Sequence, residues 1–206
     1  MTVTVTENSG SEKYDGTQKS VSGYTVSIDN PLYTEHDFTF SGDSLVTGSN
    51  AGTYEMQLSA DDFTNVNENF TNVEFVIVDG TLQITKRSVA LTSADDSKEY
   101  DGRTLTNGEV AISGDGFAAG EGAAYEVTGS QLTVGSSENL FAYTLNEGTN
   151  ADNYDIAVVY GTLTVTDREE KYPVTITGSS AEFLYDGEEK TVNGLVTDTI
   201  EIDGNT

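Results

Sequence analysis

The 206-residue sequence has no cysteine, no tryptophan, one histidine, two prolines and only 9 basic residues against 35 acidic ones. Without cysteine there is no disulfide framework, thiolate metal site or cysteine nucleophile, and a single histidine leaves zinc or triad chemistry almost without ligands. The formal net charge of −26 argues against nucleic acid as a partner, because affinity for DNA and RNA rests mainly on cationic side chains.

Long apolar segments are also missing. No stretch approaches the roughly 18 consecutive apolar residues that a membrane-spanning helix needs. The first six residues lack the basic and apolar segments of a signal peptide. We therefore predict no direct membrane insertion by this sequence.

The residues that are abundant favour β-structure. The chain holds 29 Thr and 19 Val, whose branched side chains suit a pleated surface. Apolar and polar residues alternate in several segments, which predicts strands with one buried face. These segments are 54–58, 82–84, 163–165 and 174–176. Because Gly, Asn, Asp and Ser separate them, we predict an all-β fold, while Ala-rich 115–125 could hold one helical turn.

An internal repeat sets the organisation of the chain. The tripeptide Tyr-Asp-Gly begins at Tyr14, Tyr100 and Tyr185, so the intervals are 86 and 85 residues. We predict a first β repeat at 1–86, a second at 87–171 and an incomplete third at 172–206. The short strands separated by turns predict that each unit is a small sandwich-like module, Ig-like or β-grasp-like. The joints between the units contain no Pro-rich or Gly/Ser-rich spacer, which predicts that the modules are arranged end to end.

Two further landmarks recur. Each complete unit ends in two alternating runs separated by Asp79-Gly80 or Tyr160-Gly161, which is the length and chemistry of a tight β-hairpin. An Asn-rich stretch precedes an aromatic residue in both units, at 65–70 and 150–154. Asn caps turns, so we interpret these stretches as turns that lead into a strand; a weak sugar site is the alternative.

The Tyr-Asp-Gly element predicts a turn with an aromatic anchor, in which glycine adopts positive φ. The alternative is that Asp15, Asp101 and Asp186 bind cations or a partner at repeated surface positions. A calcium site would need six to eight oxygen ligands. The cluster that comes nearest to it consists of Asp61, Asp62, Asn65, Asn67 and Glu68.

Other functional constellations are weaker. A glycan- or protein-binding patch would need grouped surface aromatic residues, for which the candidates are Tyr24, Tyr33, Tyr125 and Tyr143. His36 lies among charged residues and has no counterpart in the second unit, so we expect it in a surface loop. Lys13 and Lys98 precede two of the tripeptides and could in principle form a Lys–Asn amide. We predict no catalytic, cofactor-binding or metal-binding residue and no cofactor.

At these residues the sequence resembles the YDG and MBG repeat families, which occur in tandem in large bacterial cell-surface, adhesin-like proteins. The similarity rests on the Tyr-Asp-Gly turns, on Asn69-Phe70 and Asn153-Tyr154, and on the closing segments 79–85 and 161–166. The resemblance implies an extracellular, non-catalytic stalk, spacer or adhesive segment at the cell wall or surface. Its expected partners are neighbouring repeats of the chain and a host glycan or extracellular protein.

Overall fold

The computed structural model describes residues 1–169 and 176–196. Its strands are β1 (Thr2–Glu7), β2 (Gly10–Lys13), β3 (Lys19–Ser22), β4 (Tyr24–Ile28), β5 (Phe38–Phe40), β6 (Leu45–Gly48), β7 (Gly52–Glu55), β8 (Phe63–Asn65), β9 (Glu74–Val78), β10 (Thr81–Thr85), β11 (Arg87–Ser93), β12 (Asp96–Glu99), β13 (Val110–Gly114), β14 (Ala123–Val127), β15 (Gly135–Glu138), β16 (Phe141–Leu145), β17 (Tyr154–Val159) and β18 (Thr162–Thr166). Three 3₁₀ turns, Glu35–Asp37, Ala60–Asp62 and Ala151–Asn153, supplement them. The fold is all-β, as predicted.

The strands pair in two groups. Strands β1 to β10, here called the first module, form the sheets β4-β1-β9 and β2-β10-β7 with two short pairs, β3-β6 and β5-β8. Strands β11 to β18, the second module, form β13-β11-β17, β12-β18-β15 and the pair β14-β16. The sheet order of the first module thus recurs in the second. The exact boundaries 1–86, 87–171 and 172–206 stay a prediction.

Each three-stranded sheet is mixed. The opening strand of a module lies parallel to one of its last two strands, with Val3 opposite Phe75 and Val89 opposite Ile156. The following strand lies parallel to the very last one, with Leu82 opposite Gly10. The chain therefore begins and ends each module at the centre of two sheets.

Period-two alternation places the core between the sheets. The side chains that are most completely buried come from equivalent positions of the two modules: Val3, Val5, Leu82 and Ile84 in the first and Val89, Leu91, Leu163 and Val165 in the second. The first module adds an aromatic cluster in which Phe63 packs against Phe38, Phe40 and Phe75 at ring-centroid distances of 5.9, 5.0 and 5.5 Å. Burying these side chains is the main favourable term in the stability of each module.

The closing landmarks are not hairpins, so that prediction is wrong. Strand β9 pairs with β1, whereas β10 pairs with β2 and β7, so Asp79-Gly80 carries the chain from one sheet to the other. A methyl group built on Gly80 would lie 2.4 Å from the Asn8 carbonyl oxygen, and one on Gly161 would lie 2.4 Å from that of Ser93. Each glycine is needed because two backbone segments cross there at close range.

The crossing in the first module is fixed by a buried carboxylate. Glu7 is almost fully buried, and its two carboxylate oxygens accept hydrogen bonds from the backbone N–H groups of Leu58 and Gly80, each at 2.7 Å. In the second module Ser93 occupies this position. Its hydroxyl accepts from the Gly161 N–H at 2.9 Å and donates to the Asn139 carbonyl at 2.6 Å.

Segment 115–125 contains no helical turn in the structure. Residues 115–122 form a loop with positive φ at Gly116 and Gly120, and strand β14 follows. Glycine at these positions favours the turns that compete with helix, so the helical alternative for this stretch is wrong.

The part of the third unit that is described, 176–196, contains no strand but shares one backbone hydrogen bond with the other two units. The Ser179 N–H donates to the Gly194 carbonyl at 3.1 Å. At the equivalent positions Asn8 donates to Gly23, and Ala94 donates to Glu109, both at 3.0 Å. The remainder of the predicted third unit, in 172–175 and 197–206, lies outside the described residues.

Candidate functional site

The Tyr-Asp-Gly element forms the same turn three times. Positive φ occurs at Gly16, Gly102 and Gly187, at 83°, 76° and 84°. In each copy the aspartate Oδ1 accepts a hydrogen bond from the backbone N–H two residues later, at 2.9 to 3.0 Å. The predicted turn, with left-handed glycine, is confirmed.

Each aspartate of the tripeptide also pairs with a lysine of its own unit. The ammonium groups of Lys19, Lys98 and Lys190 lie 2.5, 2.7 and 2.6 Å from the respective carboxylates. These lysine contacts hold the pKa values of Asp15, Asp101 and Asp186 below their usual range. The three carboxylates are occupied by the protein's own cations and N–H groups, which contradicts the interpretation of them as cation sites.

The tyrosines of the three copies differ in environment. Tyr14 is 5% exposed, Tyr100 is 40% exposed and Tyr185 is 96% exposed. The predicted aromatic anchor is therefore present in the first copy and wrong for the other two. Tyr14 is buried because residues of the second module cover it.

Tyr14 belongs to a cluster at the joint between the modules. Its ring meets that of Tyr154 edge to face, with centroids 5.7 Å apart. Both hydroxyls donate to the carboxylate of Glu121, that of Tyr154 at 2.7 Å, and the Tyr154 hydroxyl accepts from the Ala118 N–H at 3.0 Å. Burial, supplemented by the contact with Glu121, raises the pKa of Tyr14 and raises that of Tyr154 to about 12.

A second set of contacts at the joint centres on Asn153, which is almost fully buried. Its Oδ1 accepts from the Ala51 N–H at 2.7 Å, and its Nδ2 donates to Asn50 Oδ1 at 3.0 Å. Because the amide both donates to and accepts from this turn, the two hydrogen bonds together fix the orientation of the turn relative to Asn153 as well as its distance. The Asn-rich stretch does lead into a strand, but its last Asn also binds the neighbouring module.

Charged side chains make the third set. Lys13 Nζ lies 2.7 Å from Asp115 Oδ1, and this contact keeps the pKa of Asp115 below its usual range. The guanidinium of Arg87 donates to the carbonyl oxygens of Tyr14 at 3.3 Å, of Gly116 at 2.9 Å, and of Asp115. Arg87 thereby ties the tripeptide of the first module to the 115–122 loop of the second.

The joint could not be derived from the Asn-rich stretches, because these are not equivalent in the structure. Strand register places Val89 opposite Ile156 and Val3 opposite Phe75, so Tyr154 corresponds to Val73 and not to Phe70. Phe70 instead packs edge to face on Tyr33 inside the first module, at 5.3 Å. The sequence does indicate this difference, because Phe70 lies farther from Gly80 than Tyr154 lies from Gly161.

The residues of the proposed calcium cluster do not converge on one point, and three of them are engaged in other hydrogen bonds. The carboxylate of Asp62 accepts from the Ser59 N–H, and Asn65 donates to the Phe70 carbonyl, both at 2.7 Å. Asn67 donates to Asp37 at 2.8 Å, while Asp61 and Glu68 are exposed. Within 1–169 and 176–196 no three acidic or histidine side chains are grouped to hold a metal ion.

The surface aromatic patch is not assembled either. Tyr33 is buried, with its hydroxyl donating to Asn65 Oδ1 at 2.9 Å, and Tyr24 packs on Phe63 at 5.4 Å. Tyr125 packs on Phe141 at 6.2 Å, so of the four candidates Tyr143 is the exposed one. His36 is exposed in a short 3₁₀ turn, as expected for a surface position. Lys13 and Lys98 are engaged by carboxylates.

Within the described residues, no helix is long and apolar enough to span a membrane. Residues 1–86 match the family model of the MBG domain. Searches of curated proteins and of solved structures give no significant match. MBG domains occur in surface proteins and are not known as a catalytic family. The match over residues 1–86 supports the resemblance of this chain to the MBG/YDG-type repeats.

Proposed function

We propose that this chain is a non-catalytic spacer segment of a bacterial cell-surface protein, whose tandem β modules hold another part of the molecule away from the cell. The observation that carries the proposal is the joint between the modules. A spacer must keep its direction from one module to the next, and the joint contains the contacts that would do so.

The connection itself is one residue long. Strand β10 ends at Thr85 and β11 begins at Arg87, so Lys86 alone links two strands that are each bound into a sheet. The Tyr14 N–H donates to the Thr85 carbonyl at 2.9 Å, which holds the tripeptide turn beside the link. A connector this short leaves little freedom for the modules to separate.

Three sets of contacts restrict the remaining rotation. They are the Tyr14–Glu121–Tyr154 cluster, the amide of Asn153 on the turn at Asn50, and the pair of Lys13 with Asp115. A single tether would permit bending and twisting about it, whereas several contacts from different segments oppose both. The polar, acidic surface then keeps neighbouring copies soluble and apart.

In this proposal the chain lies outside the cell, and adhesion is the task of other parts of the protein. The rival, a glycan-binding patch, required grouped exposed tyrosines, and Tyr24 and Tyr33 instead pack within the first module. The spacer function therefore has the better support.

Spin labels test the stiffness of the joint. The chain lacks cysteine, so labels placed at T39C and E126C, one on each module, report a single distance by double electron–electron resonance. We expect one narrow distance distribution, and we expect the double variant E121A/N153A to broaden it. The matched control is E147A, an exposed acidic position in the second module. A distribution in the unchanged chain as broad as that of E121A/N153A would contradict the spacer proposal.

A further inference from the structure

The second module has an end equivalent to the one that the first module uses at the joint. Tyr100 follows β12 as Tyr14 follows β2, and its N–H donates to the Thr166 carbonyl at 2.9 Å, as that of Tyr14 does to Thr85. Tyr14 is buried under the second module, but Tyr100 is exposed. The same local structure is therefore covered at one end and open at the other.

The glycines of the two turns show the same contrast. A methyl group built on Gly16 would lie 3.5 Å from Ala118 Cβ and 3.7 Å from Glu121 Oε1, both in the second module. A methyl group built on Gly102 would meet nothing within 4 Å. The space that a neighbouring module fills at Gly16 is free at Gly102.

Two apolar side chains lie at the same end of the sheet as Tyr100. Strand β12 runs parallel to β18, with Glu99 opposite Thr166, and β15 starts antiparallel to them, with Gly135 opposite Val165. The end of β12 and the start of β15 therefore meet at one edge. Just before β15, Leu132 is 47% exposed and Val134 is 54% exposed. We call Tyr100, Gly102, Leu132 and Val134 the Tyr100 end.

We propose that the Tyr100 end is the docking surface for the third β unit of this chain, the one that begins at residue 172. The proposal rests on the spacer function and extends it by one joint. Residues 167–171 separate β18 from that unit, and five residues span at most about 17 Å. This tether keeps the third unit close to the Tyr100 end, so docking within the chain is favoured over docking of another molecule.

The described part of the third unit forms the same tripeptide turn as the two modules. There Asp186 pairs with Lys190 as Asp15 does with Lys19, and Gly187 adopts the same positive φ as Gly16. The chain leaves β18 at Thr166, directly beside Tyr100. The occupant thus shares its turn with the modules, and its chain leaves the second module at the point equivalent to Thr85.

The chemistry of the second joint would differ from that of the first. Residues Asn50 and Ala51 offer polar groups to Asn153, and β7 follows them. At the equivalent positions before β15 the second module has Thr133 and Val134, with Leu132 beside them. The Tyr100 end is therefore apolar at the place where the first module offers polar groups to the amide of Asn153.

Nitration by tetranitromethane tests the proposal. One sample is the 206-residue chain; the other continues it after Thr206 with residues 36–86, since the tripeptide register places Thr206 level with Glu35. Nitration at Tyr100 is compared with that at Tyr143, an exposed tyrosine of the same module. If the docked joint is open about a tenth of the time, the ratio falls roughly tenfold in the longer chain. An unchanged ratio, with the added residues protected from hydrogen exchange, overturns the proposal.

A second chain decides the matter if the added residues exchange freely. Residues 86–169, carrying N153V so that an apolar side chain meets Val134 in place of the amide, are placed directly after Thr166, which recreates the connection of the first joint with a module that the structure shows folded. Protection of Tyr100 there supports the docking surface, and unchanged nitration overturns it. Neither result depends on the distance between labels at Thr39 and Glu126, so failure of the spacer proposal is seen separately.

Discussion

The two modules share a frame and differ at the end that follows Tyr-Asp-Gly. Both have the same sheet order, the same crossing glycine and the same hydrogen bond from the tripeptide tyrosine. Yet Tyr14 lies in a joint and Tyr100 faces solvent. The comparison shows that local sequence determines the turn, whereas the environment of its tyrosine depends on the module next to it.

The largest expected effect tests the shared frame. In G161A a methyl group would lie 2.4 Å from the Ser93 carbonyl oxygen, so the crossing must open or the backbone must shift. We expect a loss of roughly 3 kcal/mol or more in the free energy of unfolding of the second module, typical of severe steric changes in a core. Urea denaturation followed by circular dichroism measures it. The control is G108A, where a methyl group meets nothing within 4 Å.

The buried polar group at the crossing differs between the two modules: it is Glu7 in the first and Ser93 in the second. E7A leaves the N–H groups of Leu58 and Gly80 without the carboxylate that accepts from both. We expect a loss of about 2 to 4 kcal/mol, because hydrogen bonds to a charged acceptor are strong and buried donors are expensive to leave unpaired. S93A removes a neutral hydroxyl at the equivalent position, so urea denaturation should show a smaller loss. Equal losses would mean that the carboxylate adds nothing over the hydroxyl.

Alkaline pH should weaken the joint, where Tyr14 and Tyr154 are buried. The folded-state pKa of Tyr154 is raised to about 12 and that of Tyr14 is also raised, so above pH 10 the folded chain binds more protons than the unfolded chain. The stabilisation from these hydroxyls is complete below about pH 10 and is lost as the pH rises towards 12. Thermal unfolding between pH 9 and 11.5 checks this. Y154F should flatten the decline in Tm, and an identical decline in Y154F would exclude Tyr154 as its source.

A single hydroxyl at each end gives the next comparison. Y14F removes the hydrogen bond to Glu121, which we expect to lower the free energy of unfolding by about 1 to 2 kcal/mol. Y100F changes an exposed residue and should be neutral in the 206-residue chain. Both are measured by urea denaturation. An effect of Y100F as large as that of Y14F would contradict the difference between the two ends.

The smallest expected effect concerns the ion pair at the joint. Lys13 and Asp115 are 2.7 Å apart but partly exposed, so K13Q should lower stability by about 0.2 to 1 kcal/mol, and less at high salt. The control is K86Q, whose ammonium lies 4.0 Å from Asp155. Urea denaturation at low and high salt compares them. A loss from K13Q that is unchanged by salt would point to packing of the side chain instead of charge.

Much of the frame could be predicted from the sequence, because it depends on local rules. Alternation at Leu82 and Ile84 identified buried strand positions, and repeated Asp-Gly identified turns with left-handed glycine. The hairpin at Gly80 was wrong for a physical reason. A two-residue break between strands fits a hairpin and a crossing between sheets equally well, and the need for glycine came from the close approach of Asn8.

The contacts at the joint could not be predicted from local sequence patterns. Glu121, Asn153 and Tyr154 act together only because folding brings the 115–122 loop and the start of β17 to the tripeptide of the other module. Each residue alone fits a turn or a solvated surface. The short connection at Lys86 did indicate that the modules are closely linked, but not which side chains would meet.

The parallel pairing of the second strand of each module with its last strand has a mechanical consequence. Tension on the two ends of the first module would pull β2 and β10 in opposite directions along their length, since these neighbours run parallel. Such a shearing load is shared by all the hydrogen bonds of the ladder at once and cannot open them one by one, as peeling a hairpin would. In a molecule anchored at one end and pulled at the other, each module would therefore resist extension through shear between parallel strands.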